Sequence, residues 1–355
     1  MKTLFKMIAV SAAVLSMASC QKMFNSNSSV NGDGEQCQLF VDFSGAETKV
    51  PGLNDSFEKN IKDVQVFVFN KATGKIDASI HQSGLDANGT YAMTKSLNCT
   101  RGEREIWALV NAPVNHVDGD AANRISTIDQ LKAVSTRLVD NSSDALVMVG
   151  SEVKTLAADT ESVNVKVSRV CAAVVISSIK NEMGVPAYQL DGKLKITGAY
   201  LLNVPNTQRY DLTTKASTLE NGYWISPGKK TSAAAELKLT SDTYPSGEQQ
   251  LNYGSAFDNK STFYAYPNDA TAAPAATWTQ SATVLVVEAL VDGQPCIYPV
   301  RLGVLQSNYK YAVSLTIKHI GGDPEEPWKK IEFTNLGASI SITDWTTGAA
   351  INENI

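Results

Sequence analysis

The sequence predicts an all-β protein with two β-sandwich domains, one short helix and a C-terminal strand appendage. Among the 355 residues the dominant pattern is an alternation of apolar and polar side chains with a period of two, and turn sequences separate the alternating segments. Helical spacing of apolar residues occurs at one place. After removal of an N-terminal signal, roughly 335 residues remain, which is enough for two domains with well-developed cores.

The N-terminal stretch MKTLFKMIAVSAAVLSMASCQK has the three parts of a secretory signal. A positively charged start and a short apolar run lead to the small pair Ala18-Ser19, and Cys20 follows at once. This arrangement resembles a lipobox, in which the cysteine is acylated, typically with palmitate, although Met17 replaces the usual aliphatic residue. A plain signal with an incidental cysteine is the alternative. We expect a signal peptide at 1–19 and a lipidated flexible tether at 20–36.

The first domain is predicted to span residues 37–158 and to begin with the strand CQLFVDFSG, along which Leu39, Val41 and Phe43 alternate. The segment IKDVQVFVFN is apolar on both faces, which predicts a central strand, and NKATG after it indicates a turn. The helical segment is STIDQLKAVSTRL. Its predicted cap is Ser126, and its predicted apolar face consists of Ile128, Leu131, Val134 and Leu138.

The second domain is predicted to span residues 159–322, with the boundary in TLAADTES. The segment VNVKV predicts a half-buried strand, and YAVSLTI predicts a second strand with a clearer alternation. Two apolar runs, 284–291 and 297–302, flank Asp292-Gly293, which predicts a β-hairpin.

Residues 323–355 are predicted to form an appendage outside the second sandwich. A Pro/Gly linker, GGDPEEP, precedes a strand in which apolar positions alternate with Gly, Ser and Thr. The apolar positions of this strand and the aromatic residue at its end are Leu336, Ala338, Ile340, Ile342 and Trp345. A strand of this kind can add to an exposed sheet edge.

Composition and motifs provide no catalytic or metal site. A net charge of −5 gives no reason to expect a nucleic-acid partner. The three histidines lack metal-binding spacing, and the nucleophile-elbow, P-loop and dinucleotide motifs do not occur. We therefore expect neither enzymatic activity nor a cofactor. The aromatic residues Trp224, Tyr264, Tyr266 and Trp278 suit either a glycan-stacking platform or a sandwich core.

Four cysteines follow Cys20: Cys37, Cys99, Cys171 and Cys296. An oxidising compartment permits disulfides, and four cysteines allow three pairings among which the sequence does not choose. Buried free thiols are the alternative. The wide spacing and the absence of a CxxC motif argue against a zinc site.

The order of the sequence pieces resembles the fimbrillins, the type V pilins of Bacteroidia. The lipobox is followed by IKDVQVFVFNKATG, GEREIWALVNAP, VSRVCAAVVIS, FYAYPN, YPVRLG, NYKYAVSLTIKHIGG and a terminal ISITDW. The resemblance covers most of the chain after Cys20. It implies two transthyretin-like sandwiches, export as an outer-membrane lipoprotein, and assembly on the cell surface after a protease removes the first strand.

In this mechanism the first strand, with Leu39, Val41 and Phe43, is displaced, and the C-terminal strand of another subunit enters the vacated groove. Family members typically present an Arg at the cut, but no Arg lies between Cys20 and Arg101. Lys49 is the nearest basic candidate for the processing site.

The predicted function is that of a structural subunit of cell-surface fimbriae, with the stalk role favoured. The implied partners are other copies of the chain, accessory pilins, a membrane reached through the lipid, and a host or bacterial surface ligand. The alternatives are a tip or anchor pilin and a non-polymerising surface lipoprotein that binds a glycan or host protein. In that last case 37–45 and 336–345 are an ordinary first and last strand. A hydrolase would need converging carboxylates that spacing does not demonstrate.

Overall fold

A computed structural model describes residues 34–45, 57–138, 144–213, 247–257, 261–268, 282–326, 337–344 and 350–354, the last two ranges by their backbone. Strands dominate these residues and one α-helix accompanies them, so the predicted all-β class is confirmed. No helix in the described ranges is long and apolar enough to cross a membrane.

The strands of the first half, in chain order, are β1 (Gln36–Ser44), β2 (Asn60–Asn70), β3 (Ile76–Asn88), β4 (Tyr91–Ala92), β5 (Leu97–Thr100), β6 (Gly102–Val110), β7 (Ser135–Arg137), β8 (Met148–Leu156), β9 (Thr160–Lys166) and β10 (Ser168–Arg169). Those of the second half are β11 (Ala172–Asn181), β12 (Leu194–Leu202), β13 (Thr207–Arg209), β14 (Gln249–Gln250), β15 (Ala256–Phe257), β16 (Thr262–Ala265), β17 (Val284–Val291), β18 (Gln294–Arg301), β19 (Tyr309–Ile317), β20 (Gly337–Asp344) and β21 (Ala350–Asn354). The helix α1 spans Ile128–Ala133.

Two sheets form the first sandwich. In one sheet, β1 lies between β9 and the short strands β4 and β5; the other has the order β10-β8-β6-β2-β3. Alternating residues of both sheets meet in a single buried cluster, as expected for a sandwich. β2 lies between β6 and β3 in this sheet and is central, as predicted. Both of its faces are buried: its valines face this cluster, and Phe67 and Phe69 are buried on the opposite face.

The first sandwich includes one strand beyond its predicted end at residue 158. β9 pairs in parallel with β1 over seven residues, from Gln38 opposite Thr160 to Ser44 opposite Lys166. Such pairing brings together residues far apart in the chain, which local alternation does not reveal. We propose a boundary between the sandwiches just after Val167.

The second sandwich also consists of two sheets. One has β11 paired with β15, β16 and β19, and continues through β20 to β21; the other has the order β14-β12-β17-β18. The predicted hairpin is formed by β17 and β18, with φ of 52° at Asp292 and 79° at Gly293. Positive φ at both turn residues is the mark of a type I′ turn, which suits the twist of a hairpin.

The helix α1 begins one residue later than predicted and ends earlier. Thr127 rather than Ser126 is the N-cap, and it forms a capping box with Gln130. The helix ends at Ala133 because the following residues form β7, which pairs with β13 from the second half of the chain. Leu138 therefore lies beyond the helix, where its N–H donates to the carbonyl of Asn206 (2.7 Å).

Buried residues connect the two sandwiches. Phe67, Phe69 and Trp107, on the outer face of the second sheet of the first sandwich, belong to the same cluster as the core of the second sandwich. The β7–β13 pair adds backbone hydrogen bonds across this junction. The two sandwiches therefore pack against each other through apolar contacts.

Candidate strand-exchange site

The first strand occupies the middle of its sheet rather than an edge. On one side, β1 pairs antiparallel with β5 and β4, and on the other it pairs in parallel with β9. The N–H of Met93 donates to the carbonyl of Val41 (3.1 Å), and that of Gln38 donates to the carbonyl of Asp159 (2.8 Å). Because both sides are used, removal of β1 would leave unpaired backbone groups on two neighbouring strands.

Alternate side chains of β1 fill the core of the first sandwich. Leu39 and Val41 are 0% exposed and Phe43 is 1% exposed, at the three positions that the alternation predicts. Phe43 also stacks on Tyr91 of β4, with ring centroids 6.1 Å apart. Cys37, two residues before Leu39, is a fourth inward residue that the prediction omitted, although its position in the same period-two pattern indicated it.

The strand on one side of β1, β5, is held by contacts that do not involve β1. Asp77 of β3 accepts a hydrogen bond from the N–H of Thr100 (2.9 Å) and pairs with Nε of Arg104 (2.8 Å). The side chains of Asp77 and Arg104 are 9% and 5% exposed, so the pair is shielded from solvent. These contacts attach the end of β5 to the opposite sheet.

The strand on the other side, β9, has its own attachment to β8. The Nζ of Lys154 lies 3.0 Å from a carboxylate oxygen of Glu161. Gly150 of β8 approaches so closely that a Cβ there would lie 2.2 Å from the carbonyl oxygen of Lys166. The two walls of the β1 groove are therefore each anchored independently of the strand between them.

The two ends of β1 are marked by specific residues. At its start, Arg101 makes ion pairs with both Glu35 and Asp159. At its end, Gly45 has φ of +94°, and a Cβ there would lie 2.8 Å from the carbonyl oxygen of Val167. A glycine is thus required where the chain leaves the groove towards the segment that contains Lys49.

Glu58, on the C-terminal side of the segment that contains Lys49, forms a buried ion pair. The Nζ of Lys310, in β19, lies 2.8 Å from the carboxylate of Glu58, and the two side chains are only 3% and 7% exposed. The hydroxyl of Tyr264 donates to the same carboxylate (2.9 Å), and the Nε of Arg169 donates to the carbonyl of Glu58 (3.0 Å). Burial, followed by the charge of Glu58, raises the pKa of Tyr264.

The predicted donor strand coincides with β20, which pairs antiparallel with β19 of its own chain. In this register Ala338 lies opposite Leu315, Ile340 opposite Val313, and Ile342 opposite Tyr311. Each of these three β19 residues is buried, whereas Ser339 and Ser341 lie opposite Ser314 and Ala312. The C-terminal segment therefore extends a sheet of the second sandwich, with β21 beyond it.

Several predicted site residues lie outside the described residues: Cys20, Lys49, Leu336 and Trp345. The structure brings Leu39, Val41 and Phe43 together in one groove and places β20 in the other sandwich. Among the residues that the structure describes, no group of three or more His, Cys, Asp or Glu side chains is arranged to hold a metal ion.

Comparison with known proteins finds a similarity to fimbrial subunits. The family model described as major fimbrial subunit protein (FimA) matches residues 45–193. The resemblance to the fimbrillins is confirmed. No curated protein matches the sequence. The prediction that the chain is not an enzyme is confirmed on the same ground, because the matched fimbrillin family consists of structural subunits.

Solved structures share the fold at low sequence identity. A protein of Parabacteroides distasonis provisionally named a cell adhesion protein has a TM-score of 0.62 and 16% identity, with 87% of this chain and 97% of that one covered. A fimbrilin (FimA) of Porphyromonas gingivalis has a TM-score of 0.57 and 15% identity, with 87% and 98% covered. The tip fimbrial protein Mfa3 of Porphyromonas gingivalis, truncated at its C-terminus, has a TM-score of 0.53 and 14% identity, with 88% of this chain and 100% of that one covered. The fimbrillin resemblance indicates a fimbrial or adhesion role at the cell surface.

Proposed function

We propose that this chain is a fimbrial subunit, with the stalk role favoured, that is exported as an outer-membrane lipoprotein and polymerises by donor-strand exchange. In this mechanism a protease cuts after Lys49, β1 leaves, and the C-terminal strand of another copy takes its place. The observation that carries the proposal is the position of β1: it is buried between two strands that are each attached elsewhere.

The energetics favour a long-lived assembly. An inserted strand would bury the side chains of Leu336, Ala338, Ile340 and Ile342. Their burial contributes on the order of 5–10 kcal/mol, as an upper estimate. Backbone hydrogen bonds to both walls of the groove add to this, and all of them must break together for the strand to leave. Before the cut, β1 of the same chain occupies the groove and prevents premature assembly.

The donor strand must also leave its own sheet. β20 is joined to β19 on one side and to β21 on the other, so the C-terminal hairpin can detach without disturbing β11 or β16. Its period-two pattern of Ala338, Ile340 and Ile342 matches the spacing of Leu39, Val41 and Phe43 in β1. The C-terminal strand can therefore either pair with β19 of its own chain or occupy the β1 groove of another subunit.

The proposal is tested by a gel of the mature protein before and after mild tryptic digestion, loaded unboiled and boiled. Lys49 is the one basic residue between Gly45 and Phe57, so we expect a cut there, made in the presence of a thiol reductant, to produce a ladder that collapses on boiling. Lys49→Gln should remove the ladder, whereas the control Lys59→Gln should retain it. A single monomer band for the cut protein would instead favour a non-polymerising binding lipoprotein, or a tip or anchor pilin.

Lipidation has a separate test. We expect Cys20→Ala to abolish incorporation of labelled palmitate and to release the protein from the outer membrane, because the acylated thiol would be lost. Cys171→Ala is the matched control, since Cys171 is buried in the core and should not affect labelling. Labelling that persists in Cys20→Ala cells would contradict the lipobox interpretation.

A further inference from the structure

Two of the four buried cysteines lie directly opposite each other across the candidate groove. Cys37 of β1 is the antiparallel register partner of Cys99 of β5. Each is 1% exposed, and both belong to the core cluster of the first sandwich, so their side chains are on the same face of the sheet. In this structure both are free thiols.

The register also sets their separation. The N–H of Arg101 donates to the carbonyl of Glu35 (2.8 Å), so these residues form a hydrogen-bonded pair, and Cys37 and Cys99 form the next one along the ladder. The Cα atoms of such a pair are about 5.5 Å apart, which is within the span of roughly 4.4–6.8 Å that a disulfide bridges.

The other two cysteines have no comparable arrangement. Cys296 of β18 lies opposite Ala289 of β17. Cys171 precedes β11, and its carbonyl accepts a hydrogen bond from the N–H of Asn308 (2.8 Å). Of the three pairings that the four cysteines allow, only one joins register partners.

We propose that Cys37 and Cys99 are a disulfide site, and that the bridge ties β1 to β5 so that the first strand stays in its groove after the chain is cut. The site itself follows from the register, whereas its effect on assembly rests on the proposed function. Reduction of the bridge would then be required before another subunit's strand could enter.

The reaction balances with an external disulfide as oxidant. Two S–H bonds break and one Sγ–Sγ bond forms, while two electrons and two protons pass to the disulfide of an exported thiol oxidoreductase, which becomes two thiols. Burial raises the pKa of both cysteines, so few thiolates exist in the folded protein. The bridge should therefore form as the exported chain folds, before Cys37 is enclosed.

Peptide mapping tests the site. The mature chain is refolded with oxidised glutathione, its remaining thiols are alkylated in denaturant, and it is digested with trypsin and analysed without reduction. We expect residues 23–49 and 96–101 to appear as one linked species that separates on reduction. The Cys99→Ala variant should lack this species and Cys171→Ala should retain it. Complete alkylation of Cys37 and Cys99 in the refolded wild-type chain would overturn the proposal.

Strand release tests the consequence. Oxidised and reduced samples are cut at Lys49 under native conditions, and the fraction of the 23–49 peptide still attached is measured by size-exclusion chromatography and mass spectrometry. We expect retention and no ladder in the oxidised sample, and release with a ladder after reduction or in Cys99→Ala. A ladder that forms equally well from the fully bridged protein would overturn this part of the proposal.

The two proposals fail differently in this experiment. If the linked peptides form but the reduced, cut protein also keeps β1 and stays monomeric, strand exchange is wrong while the disulfide site stands. If the reduced protein polymerises but linked peptides never form, the disulfide site is wrong while strand exchange stands.

Discussion

Replacing both Ile340 and Ile342 by Asp should abolish the heat-sensitive oligomers of the cut protein while the monomer remains folded. Two carboxylates in an inserted strand would be buried in an apolar groove, at a desolvation cost of several kcal/mol each. The oligomers are measured on unboiled gels, and the monomer fold by far-UV circular dichroism. The rest of the second sandwich should persist because β19 also pairs with β11.

The same strand provides a matched control. Ser339 and Ser341 alternate with the isoleucines and lie opposite Ser314 and Ala312 in the β20–β19 register. Replacing both serines by Asp adds the same charge at the other set of positions and should leave most oligomers intact. A normal ladder from the isoleucine variant would eliminate β20 as the donor.

The isoleucine variant also distinguishes loss of the donor strand from damage to the groove that accepts it. Its groove is unchanged, so after the cut it should still bind a synthetic peptide of residues 336–345. Binding of this peptide to the cut protein but not to the uncut one, measured by fluorescence anisotropy, is the expected result. Equal binding to both forms would show that the peptide does not use the β1 groove.

Lys310→Met should lower the free energy of unfolding by about 3–5 kcal/mol, because it removes one partner of a buried ion pair while the carboxylate of Glu58 stays buried. The measurement is a urea denaturation curve at pH 7. Lys195→Met is the control: its partner Glu248 is at the same distance of 2.8 Å, but the two side chains are 39% and 50% exposed. Loss of that solvent-exposed pair should cost less than about 1 kcal/mol.

A double variant determines how much of the loss in unfolding free energy comes from the negative charge of Glu58. Glu58→Gln removes the charge and keeps an acceptor for Tyr264, so Glu58→Gln with Lys310→Met should be more stable than Lys310→Met alone. If Lys310→Met changes the free energy of unfolding no more than Lys195→Met does, the ion pair between Lys310 and Glu58 does not stabilise the fold. The pair is relevant to assembly because it fixes the chain next to the proposed cut.

Local alternation was sufficient for the inward face of β1 and for the β17–β18 hairpin. Leu39, Val41 and Phe43 are buried where the period of two placed them, and Asp292-Gly293 forms the turn. Such patterns predict well because a strand with one buried face must alternate, and because a two-residue hairpin turn demands residues that tolerate positive φ.

Long-range register, by contrast, was decided only by the tertiary structure. The parallel pairing of β9 with β1, the meeting of Cys37 with Cys99 and the burial of Glu58 against Lys310 each join residues more than 60 positions apart. The helix ends at Ala133 for the same reason, since β7 pairs with the distant β13. A period of two determines which face of a strand is buried, but the neighbour of each strand depends on how the whole chain packs.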